Sequence, residues 1–292
     1  MERQLWKAIV VVLGEVDKGR QPSSLVFRDE RIVEVFFWAA IHDRPISWAC
    51  RRHHWPIDQR RRRLPSSTTM SRRLRSPRVL TLLRAVERRV LAPRQGEIFW
   101  MIDGKPLPVG GATKDRQAGY GRAAGGYAKG YKLHALVGSQ GSIADWRVAP
   151  MNKDERTMAC RLLRATPVQG YLIADANFDS NPLHQVCDAT GDLQMVAPRR
   201  YGKKRGLGHH RHSRGRLRSI ALLENPQPRF GEQLLKDRNA IERRFGALTN
   251  WGGSLTCLPP WVRTHRRVHR WVLAKLVLTA LKRQVHQRTC VA

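Results

Sequence analysis

Two aspartates stand at the ends of two apolar runs in this sequence. Asp103 closes the run EIFWMID and Asp175 closes YLIAD, so each is predicted to be the last residue of a strand. If the two strands are adjacent and parallel, their carboxyl ends lie side by side, at the edge where open α/β sheets have their active sites. Two carboxylates at such an edge repel each other unless a cation lies between them.

A third acid is expected on a helix that packs against this edge. In DRNAIERRFGALTNW, Ile241, Phe245 and Leu248 recur at helical spacing, and Glu242 lies beside this apolar stripe. Arg238 precedes Glu242 by four residues on the same helical face, where it can hold the carboxylate or reach a phosphate. Carboxylate oxygens are the ligands that Mg²⁺ or Mn²⁺ prefers, and two such ions ~3.5–4 Å apart can hold both reacting oxygens of a phosphodiester.

Each acid also has a purely structural interpretation. Asp103 precedes a glycine, and Asp-Gly pairs are common in turns. Asp175 can cap a helix that follows it, and Glu242 can be a surface partner of Arg238. The carboxylates that compete for the catalytic role are Asp115, Asp145, Asp154 and Asp179, the last of which follows Asp175 by four residues. The joint placement of two acids at strand ends and one beside a helical stripe favours the catalytic interpretation.

The runs around these acids predict a mixed α/β fold. EIFWMID, KGYKLHALV and SIADWRV suit an antiparallel meander, and the order that follows is helix, strand, helix, strand and then helices. This succession resembles a ribonuclease-H-like core, with a mixed five-stranded sheet flanked by helices. We expect this catalytic domain at residues 93–292, with a basic insertion near 199–225.

The charge balance indicates a polyanionic partner. The 292 residues include 54 Lys+Arg and 23 Asp+Glu, a net charge of +31, and phosphate backbones neutralise such an excess while releasing counterions. Nucleic acid is therefore favoured over a membrane surface or a heparin-like polymer. No run reaches the ~18 apolar residues of a membrane span, and five scattered cysteines without a CxxC pair favour a reducing, cytoplasmic location.

Residues 1–92 are predicted to be helical and to bind DNA. In RPISWACRRHHWPIDQRRRRLPSSTTMSRRLRS, Pro45 can start a helix and Ser66 or Ser67 can cap another. This segment outlines a helix-turn-helix with nine arginines between residues 51 and 75. The alternative is a basic helical hairpin that touches only phosphates. The candidate DNA contacts here are Arg72, Arg73 and Arg75.

Two lysines of the glycine-rich segment GYGRAAGGYAKGYK are further candidates for contact with the DNA backbone. They are Lys129 and Lys132. The alternative for this segment is a mobile hairpin loop.

Several blocks of the sequence resemble DDE transposases of bacterial insertion sequences. They are GEIFWMIDGKPLPV, GYKLHALVGSQGSIADWRVAPMNKDERTMA, YLIADANFDS and DRNAIERRFGALTNWGGSL, and with the tail WVRTHRRVHRWVLAKLVL the resemblance covers roughly residues 97–282. One large branch of that family has Tyr-x-x-Arg-x-x-x-Glu, followed seven residues later by Lys. This sequence has Leu235 and Thr249 at the Tyr and Lys positions, so the resemblance assigns no subfamily.

The resemblance implies an enzyme that cuts a phosphodiester at a transposon end and then joins the freed 3′-hydroxyl to target DNA. It implies that Asp103, Asp175 and Glu242 are catalytic and bind Mg²⁺ or Mn²⁺. Arg238 and the pair Arg243 and Arg244 are then candidate contacts to the transposon end. The implied partners are double-stranded DNA and, because two ends must be paired, a second copy of the chain in the bacterial nucleoid. Two alternatives are a ribonuclease-H-like nuclease without strand transfer and a degenerate transposase-like protein that binds ends without cutting.

Overall fold

The structure is a computed structural model of the chain. It describes residues 1–18, 26–93, 95–110, 114–139, 141–201, 206–207, 211–224, 230–231, 233–234, 236 and 255–291. These residues form two compact units. The first contains Met1–Ala92 and the C-terminal helix from Arg270 onward, and the second contains the described residues between 93 and 236 together with Leu255–His269.

The first unit is all-helical in its described residues. Its elements are α1 (Glu2–Val16), α2 (Asp29–Ile41), α3 (Ile46–Ala49), α4 (Ser67–Arg73), α5 (Pro77–Leu91) and the greater part of α9 (His265–Val291). Ser66 caps α4, since its side chain accepts the amide N–H of Thr69 at 3.1 Å. In the described part of the chain no helix has both the length and the apolar character needed to cross a membrane.

The segment between α3 and α4 is longer than the turn of a helix-turn-helix motif. It spans residues 50–66 and contains two 3₁₀ turns, Arg52–His54 and Ile57–Gln59. A helix-turn-helix joins its helices by a turn of ~3–4 residues. α3 and α4 therefore lack the spacing of the predicted motif, because contacts of Trp55 and Arg60 hold the segment between them in two 3₁₀ turns.

The second unit is built on a mixed sheet. Its strands are β1 (Phe99–Pro108), β2 (Gly119–Ala123), β3 (Gly126–Gly138), β4 (Ile143–Pro150), β5 (Gly170–Ile173) and β6 (Leu193–Val196). The strand order is β2-β3-β1-β5-β6, with β4 also paired to β3. β3 is antiparallel to β1, β2 and β4, whereas β5 is parallel to both β1 and β6. The predicted antiparallel meander is thus β1, β3 and β4.

The described sheet has six strands rather than the predicted five. The additional strand arises because the glycine-rich segment forms the β2–β3 hairpin instead of a mobile loop. Glycine is needed here for close packing, since a Cβ on Gly121 would lie 2.5 Å from the carbonyl oxygen of Met151. Gly125 and Gly126 make the turn with positive φ angles of 88° and 130°.

Three further helices of this unit are α6 (Glu155–Ala165), α7 (Asn181–Ala189) and α8 (Arg214–Glu224). Trp100 and Ile102 of β1 share a buried apolar cluster with Leu162 of α6 and Leu183 of α7. Because side chains alternate along a strand, Asp103 faces the opposite side of the sheet from this cluster. α8 lies within the predicted basic insertion, which therefore contains a regular helix.

Candidate active site

The sheet brings Asp103 and Asp175 to the same level of two adjacent strands. β1 and β5 are parallel neighbours, and their last bridge pairs are Trp100↔Leu172 and Met101↔Ile173. If this register is continued by two residues beyond the end of β5, Asp103 comes level with Asp175. This placement, with one acid on β1 and the other just after β5, is compatible with a shared carboxylate site where the two strands separate.

Neither aspartate is the last residue of its strand. β1 continues beyond Asp103 to Pro108, because β3 supplies hydrogen-bonding partners along this whole length. β5 ends at Ile173, where the chain turns into the 3₁₀ turn Ala176–Phe178. Asp103 thus lies where β1 loses its parallel neighbour.

Asp175 is half-buried and caps the turn that follows β5. Its Oδ1 accepts the backbone N–H groups of Asn177 at 2.8 Å and of Phe178 at 3.3 Å, and its Oδ2 accepts the Asn177 side-chain amide at 3.3 Å. The capping interpretation of Asp175 is therefore correct for a 3₁₀ turn, and it is compatible with a second role. Neutral N–H donors orient the carboxylate and leave its negative charge in place.

Asp103 is also half-buried, and it accepts the backbone N–H of Gly104 at 2.7 Å. Lys105 follows two residues later on the same face of β1. Burial lowers the pKa of Lys105, and the opposing effect of the Asp103 charge shows that the two groups interact. Sequence reasoning missed Lys105, although the two-residue spacing on a predicted strand was the signal for it.

On the other face of β1, a partly buried ion pair crosses the strand next to Asp103. Lys132 of β3 donates to Glu155 of α6 at 2.6 Å. A Cβ on Gly104 would lie 3.0 Å from the Lys132 side chain and 3.1 Å from the Glu155 carboxylate. Lys132, a predicted DNA contact, is 9% exposed and joins α6 to the sheet instead, because its charge is matched inside the unit.

Asp179 forms a buried anchor four residues beyond Asp175. Arg216 of α8 donates to both of its oxygens at 2.7 Å, the backbone N–H of Arg200 donates at 3.2 Å, and His184 lies 3.5 Å away. Burial alone would raise the pKa of Asp179, but the bonds from Arg216, His184 and Arg200 hold it well below its usual range. This carboxylate ties together the turn after β5, the chain after β6 and α8.

The other competing carboxylates also have structural partners. Asp115 is buried and accepts the Tyr131 hydroxyl at 2.9 Å and the backbone N–H of Thr264 at 2.8 Å. Asp154 caps α6 by accepting the N–H of Thr157 at 2.8 Å. Asp145 lies on β4, which pairs with β3 and not with β1.

The predicted DNA contacts differ in their exposure and in whether they are bonded to other groups of the protein. Arg73 is 7% exposed and donates to Asp29 at 2.6 Å and to the carbonyl of Phe27 at 2.9 Å. It is a core residue of the helical unit, so it is not a DNA contact. Arg75 folds back on Ser71 at 2.8 Å. The remaining two candidates are exposed Arg72 and half-buried Lys129.

The third predicted acid, Glu242, lies outside the described residues. The same is true of Arg238, Arg243, Arg244, Leu235 and Thr249. The chain before them is helical where it is described, at residues 230, 231, 233, 234 and 236. Phe230 packs edge-on against Tyr171 of β5 at 5.3 Å between ring centroids, and Tyr171 stacks on Phe99 at 6.0 Å. Since Phe99 and Asp103 share one face of β1, this helical segment begins over the face that carries Asp103.

Among the described residues, no three His, Cys, Asp or Glu side chains converge in a way that could hold a metal ion. Asp103 and Asp175 thus supply two carboxylates. A three-acid site requires a ligand from the rest of the chain.

Comparisons with known proteins define first the fold and then the family. A solved structure described as a cryo-EM structure of piggyBac transposase synaptic complex with hairpin DNA matches 97% of this chain and 72% of its own chain, with a TM-score of 0.50 and 12% sequence identity. The likeness shows the fold, a ribonuclease-H-like mixed α/β core with an N-terminal helical region. Residues 94–278 match the family model described as Transposase DDE domain, so the chain belongs to that family. No curated protein matches the sequence.

Proposed function

We propose that this protein is a metal-dependent transposase that cuts DNA at the ends of its own element and joins the 3′ ends to target DNA. The family membership supports the general activity. The observation that carries the proposal is the parallel β1–β5 pairing, whose register, continued by two residues, brings Asp103 level with Asp175. The mobile element would be a bacterial insertion sequence.

Mg²⁺ or Mn²⁺ fits the donor set of this site. Asp103 and Asp175 offer carboxylate oxygens, which these hard cations prefer, and their repulsion favours a cation between them. We assign Asp103, Asp175 and Glu242 as the ligands. A metal ion held by these acids would supply Lewis-acid chemistry, which lowers the pKa of a bound water or 3′-hydroxyl and offsets negative charge on phosphoryl oxygens.

The protein's own residues orient the site before DNA arrives. The N–H groups of Asn177 and Phe178 hold the Asp175 carboxylate, and the N–H of Gly104 holds that of Asp103. Such preorganised bonds reduce the reorganisation that the reaction would otherwise require. Lys105 lies on the Asp103 face, where an ammonium group can attract a phosphate oxygen of the substrate.

Double-stranded DNA is the substrate that the net charge of +31 favours. A homodimer follows from the need to hold two element ends together, and activity on DNA agrees with a location in the bacterial cytoplasm, on the nucleoid. Arg238, Arg243 and Arg244 are proposed to contact the element end near Glu242.

The test uses a labelled plasmid that carries the DNA flanking the gene, incubated with the protein and Mg²⁺ or Mn²⁺. We expect cutting at the element ends, and each of Asp103→Asn, Asp175→Asn and Glu242→Gln should reduce it by at least ~10³-fold. Asp145→Asn is the matched control, because this half-buried acid lies on β4 of the same sheet.

Three results would contradict the proposal in different ways. Cutting without joined products would identify a nuclease that lacks strand transfer. Binding of the ends without cutting by the unmodified protein would identify an inactive end-binding relative. Cutting that persists in Asp175→Asn would overturn the assignment of this acid.

A further inference from the structure

The segment between α3 and α4 is an irregular but firmly anchored part of the helical unit. Trp55 is 2% exposed, and its indole N–H donates to the carbonyl of Ala49 at 2.7 Å. The indole N–H of Trp38 donates to the carbonyl of His54 at 3.1 Å, and the Trp38 and Trp55 rings stack 5.0 Å apart. These contacts fix the backbone of the segment against α2.

Cationic side chains also hold the segment between α3 and α4 in place. Arg60 donates to the carbonyls of Trp55 at 3.0 Å and His53 at 3.3 Å, while Arg31 lies over the Trp55 ring at 5.0 Å. Trp48 stacks on His54 at 4.3 Å. The segment therefore presents its outer side chains from a preorganised backbone.

The outer side of this segment is strongly basic. Arg51, Arg52 and Arg61 are exposed and have no ion-pair partner in the described part of the chain. Arg3 and Lys7 of α1 extend the patch toward Asp58, whose pKa is lowered by a bond from Gln59 and further by these two charges. We call the set the basic rim: Arg3, Lys7, Arg51, Arg52, Arg60 and Arg61.

The positive charges around this segment also act on His54. The pKa of His54 is lowered by burial and then by the charges of His53, Arg51, Arg44 and His42. Such a concentration of like charge is costly unless a polyanion neutralises it.

One apolar side chain projects from this charged surface. Ile57, at the start of a 3₁₀ turn, is 77% exposed. Trp55, the one tryptophan of the segment, is packed inward, so the surface lacks the broad apolar face with which peripheral proteins enter lipid. Cations around a single apolar side chain suit double-stranded DNA. The cations can contact the phosphates, and an aliphatic side chain can enter the minor groove.

We propose that the basic rim is the surface through which the helical unit binds double-stranded DNA, with its arginines on phosphates and Ile57 in the minor groove. This differs from the prediction from sequence, which assigned the contacts to Arg72, Arg73 and Arg75 on and after α4. The proposed function enters only in identifying the polyanion as DNA, since the rim lies within the helical unit and contains none of the proposed catalytic acids.

The experiment measures binding of full-length protein carrying Asp175→Asn to a labelled duplex of the element end, between about 50 and 200 mM KCl. Each of Arg51→Ala, Arg52→Ala and Arg61→Ala should reduce the slope of log K against log salt by ~1. Ile57→Ala should weaken binding by about 5-fold without changing this slope, because it removes apolar contact and no charge. The matched control is Arg89→Ala, which removes an equal charge from an exposed arginine that pairs with Glu15 at 2.8 Å.

An unchanged slope in the three rim variants would overturn the proposal, as would an equal fall in Arg89→Ala, which would indicate a general charge effect. Binding of phosphatidylserine vesicles at the same affinity as the duplex, lost in the same variants, would identify a membrane surface instead. Because the test protein lacks a catalytic acid, a negative binding result leaves the cleavage proposal intact. Failure of the unmodified protein to cut DNA likewise leaves the binding result interpretable.

Discussion

Asp175 and Asp179 lie on the two sides of one 3₁₀ turn and are held in opposite ways. In the described part of the chain, the hydrogen-bond donors to Asp175 are neutral N–H groups of that turn. Asp179 is 6% exposed and is bonded to the guanidinium of Arg216 through both oxygens. A carboxylate held by neutral donors keeps its charge for a cation, whereas Asp179 could bind a cation only by leaving the half-buried guanidinium of Arg216 unpaired. The hydrogen-bond partners of the two carboxylates, and not their positions in the sequence, distinguish Asp175, a candidate metal ligand, from Asp179, a structural residue.

Two arginines of the helical unit differ in the same way as these two aspartates. Arg73 is buried against Asp29, whereas Arg61 is exposed and has no ion-pair partner among the described residues. Both belong to the arginine-rich stretch of residues 51–75, so composition treats them alike. Their surroundings place Arg73 in the core and leave Arg61 exposed on the surface.

Asp175→Asn should have the largest effect on function and little effect on the fold. The amide oxygen of asparagine can still accept the N–H groups of Asn177 and Phe178, so the free energy of unfolding should change by less than about 0.5 kcal/mol. Cutting should fall by at least ~10³-fold, or about 4 kcal/mol in the activation barrier. Urea unfolding measured beside the cleavage assay checks this, and a large drop in the unfolding midpoint would show that Asp175 is an anchor after all.

Asp179→Ala should give the reverse pattern. It leaves half-buried Arg216 without its partner, so we expect a loss of about 3 kcal/mol, the lower end of the range for breaking a buried pair. Urea unfolding of Asp179→Ala, Arg216→Ala and the double variant provides the measurement, and the double variant should lose less than the sum of the two single losses. A loss below about 1 kcal/mol in Asp179→Ala would mean that the pair does not stabilise the unit.

Arg73→Ala should lower the stability of the helical unit more than Arg61→Ala, because Arg73 is buried and Arg61 is exposed. Arg73→Ala leaves Asp29 with Arg78, whose Nε lies 3.0 Å away, so we expect a loss of about 2–3 kcal/mol, somewhat less than for a fully broken buried pair. Arg61→Ala should change stability by no more than about 0.5 kcal/mol. Thermal unfolding of both variants tests the contrast, which fails if the two losses are equal.

The smallest expected effect is the pH dependence contributed by Glu30. Burial, followed by a hydrogen bond with Asp17, raises the pKa of Glu30 from 4.5 to about 7. A raised pKa means that the folded state binds the proton more tightly, so this contribution to stability is complete below pH 4.5 and is lost as the pH rises through about 7. Urea midpoints at pH 5 and 8 should therefore differ less in Glu30→Gln than in the unmodified protein, and an identical difference would contradict the shift.

Many local features could be predicted from the sequence. The β1, β3 and β4 meander, the Ser66 cap of α4 and the Asp154 cap of α6 follow from alternation and capping residues. The continuation of β1 beyond Asp103 could not be predicted, because it depends on the length of its neighbour β3. The β2–β3 hairpin was missed because its glycines pack closely against a distant segment at Met151.

The sequence by itself determined most of the strands and helices and which acids follow the apolar runs, because periodicity and capping act between near neighbours in the chain. Only the tertiary structure decided which charges are neutralised inside the protein. Asp179 and Arg216 are 37 residues apart, Asp29 and Arg73 are 44 apart, and Lys132 and Glu155 are 23 apart. The physical reason is that an ion pair depends on distance in space and on burial, and neither can be read from the order of residues along the chain.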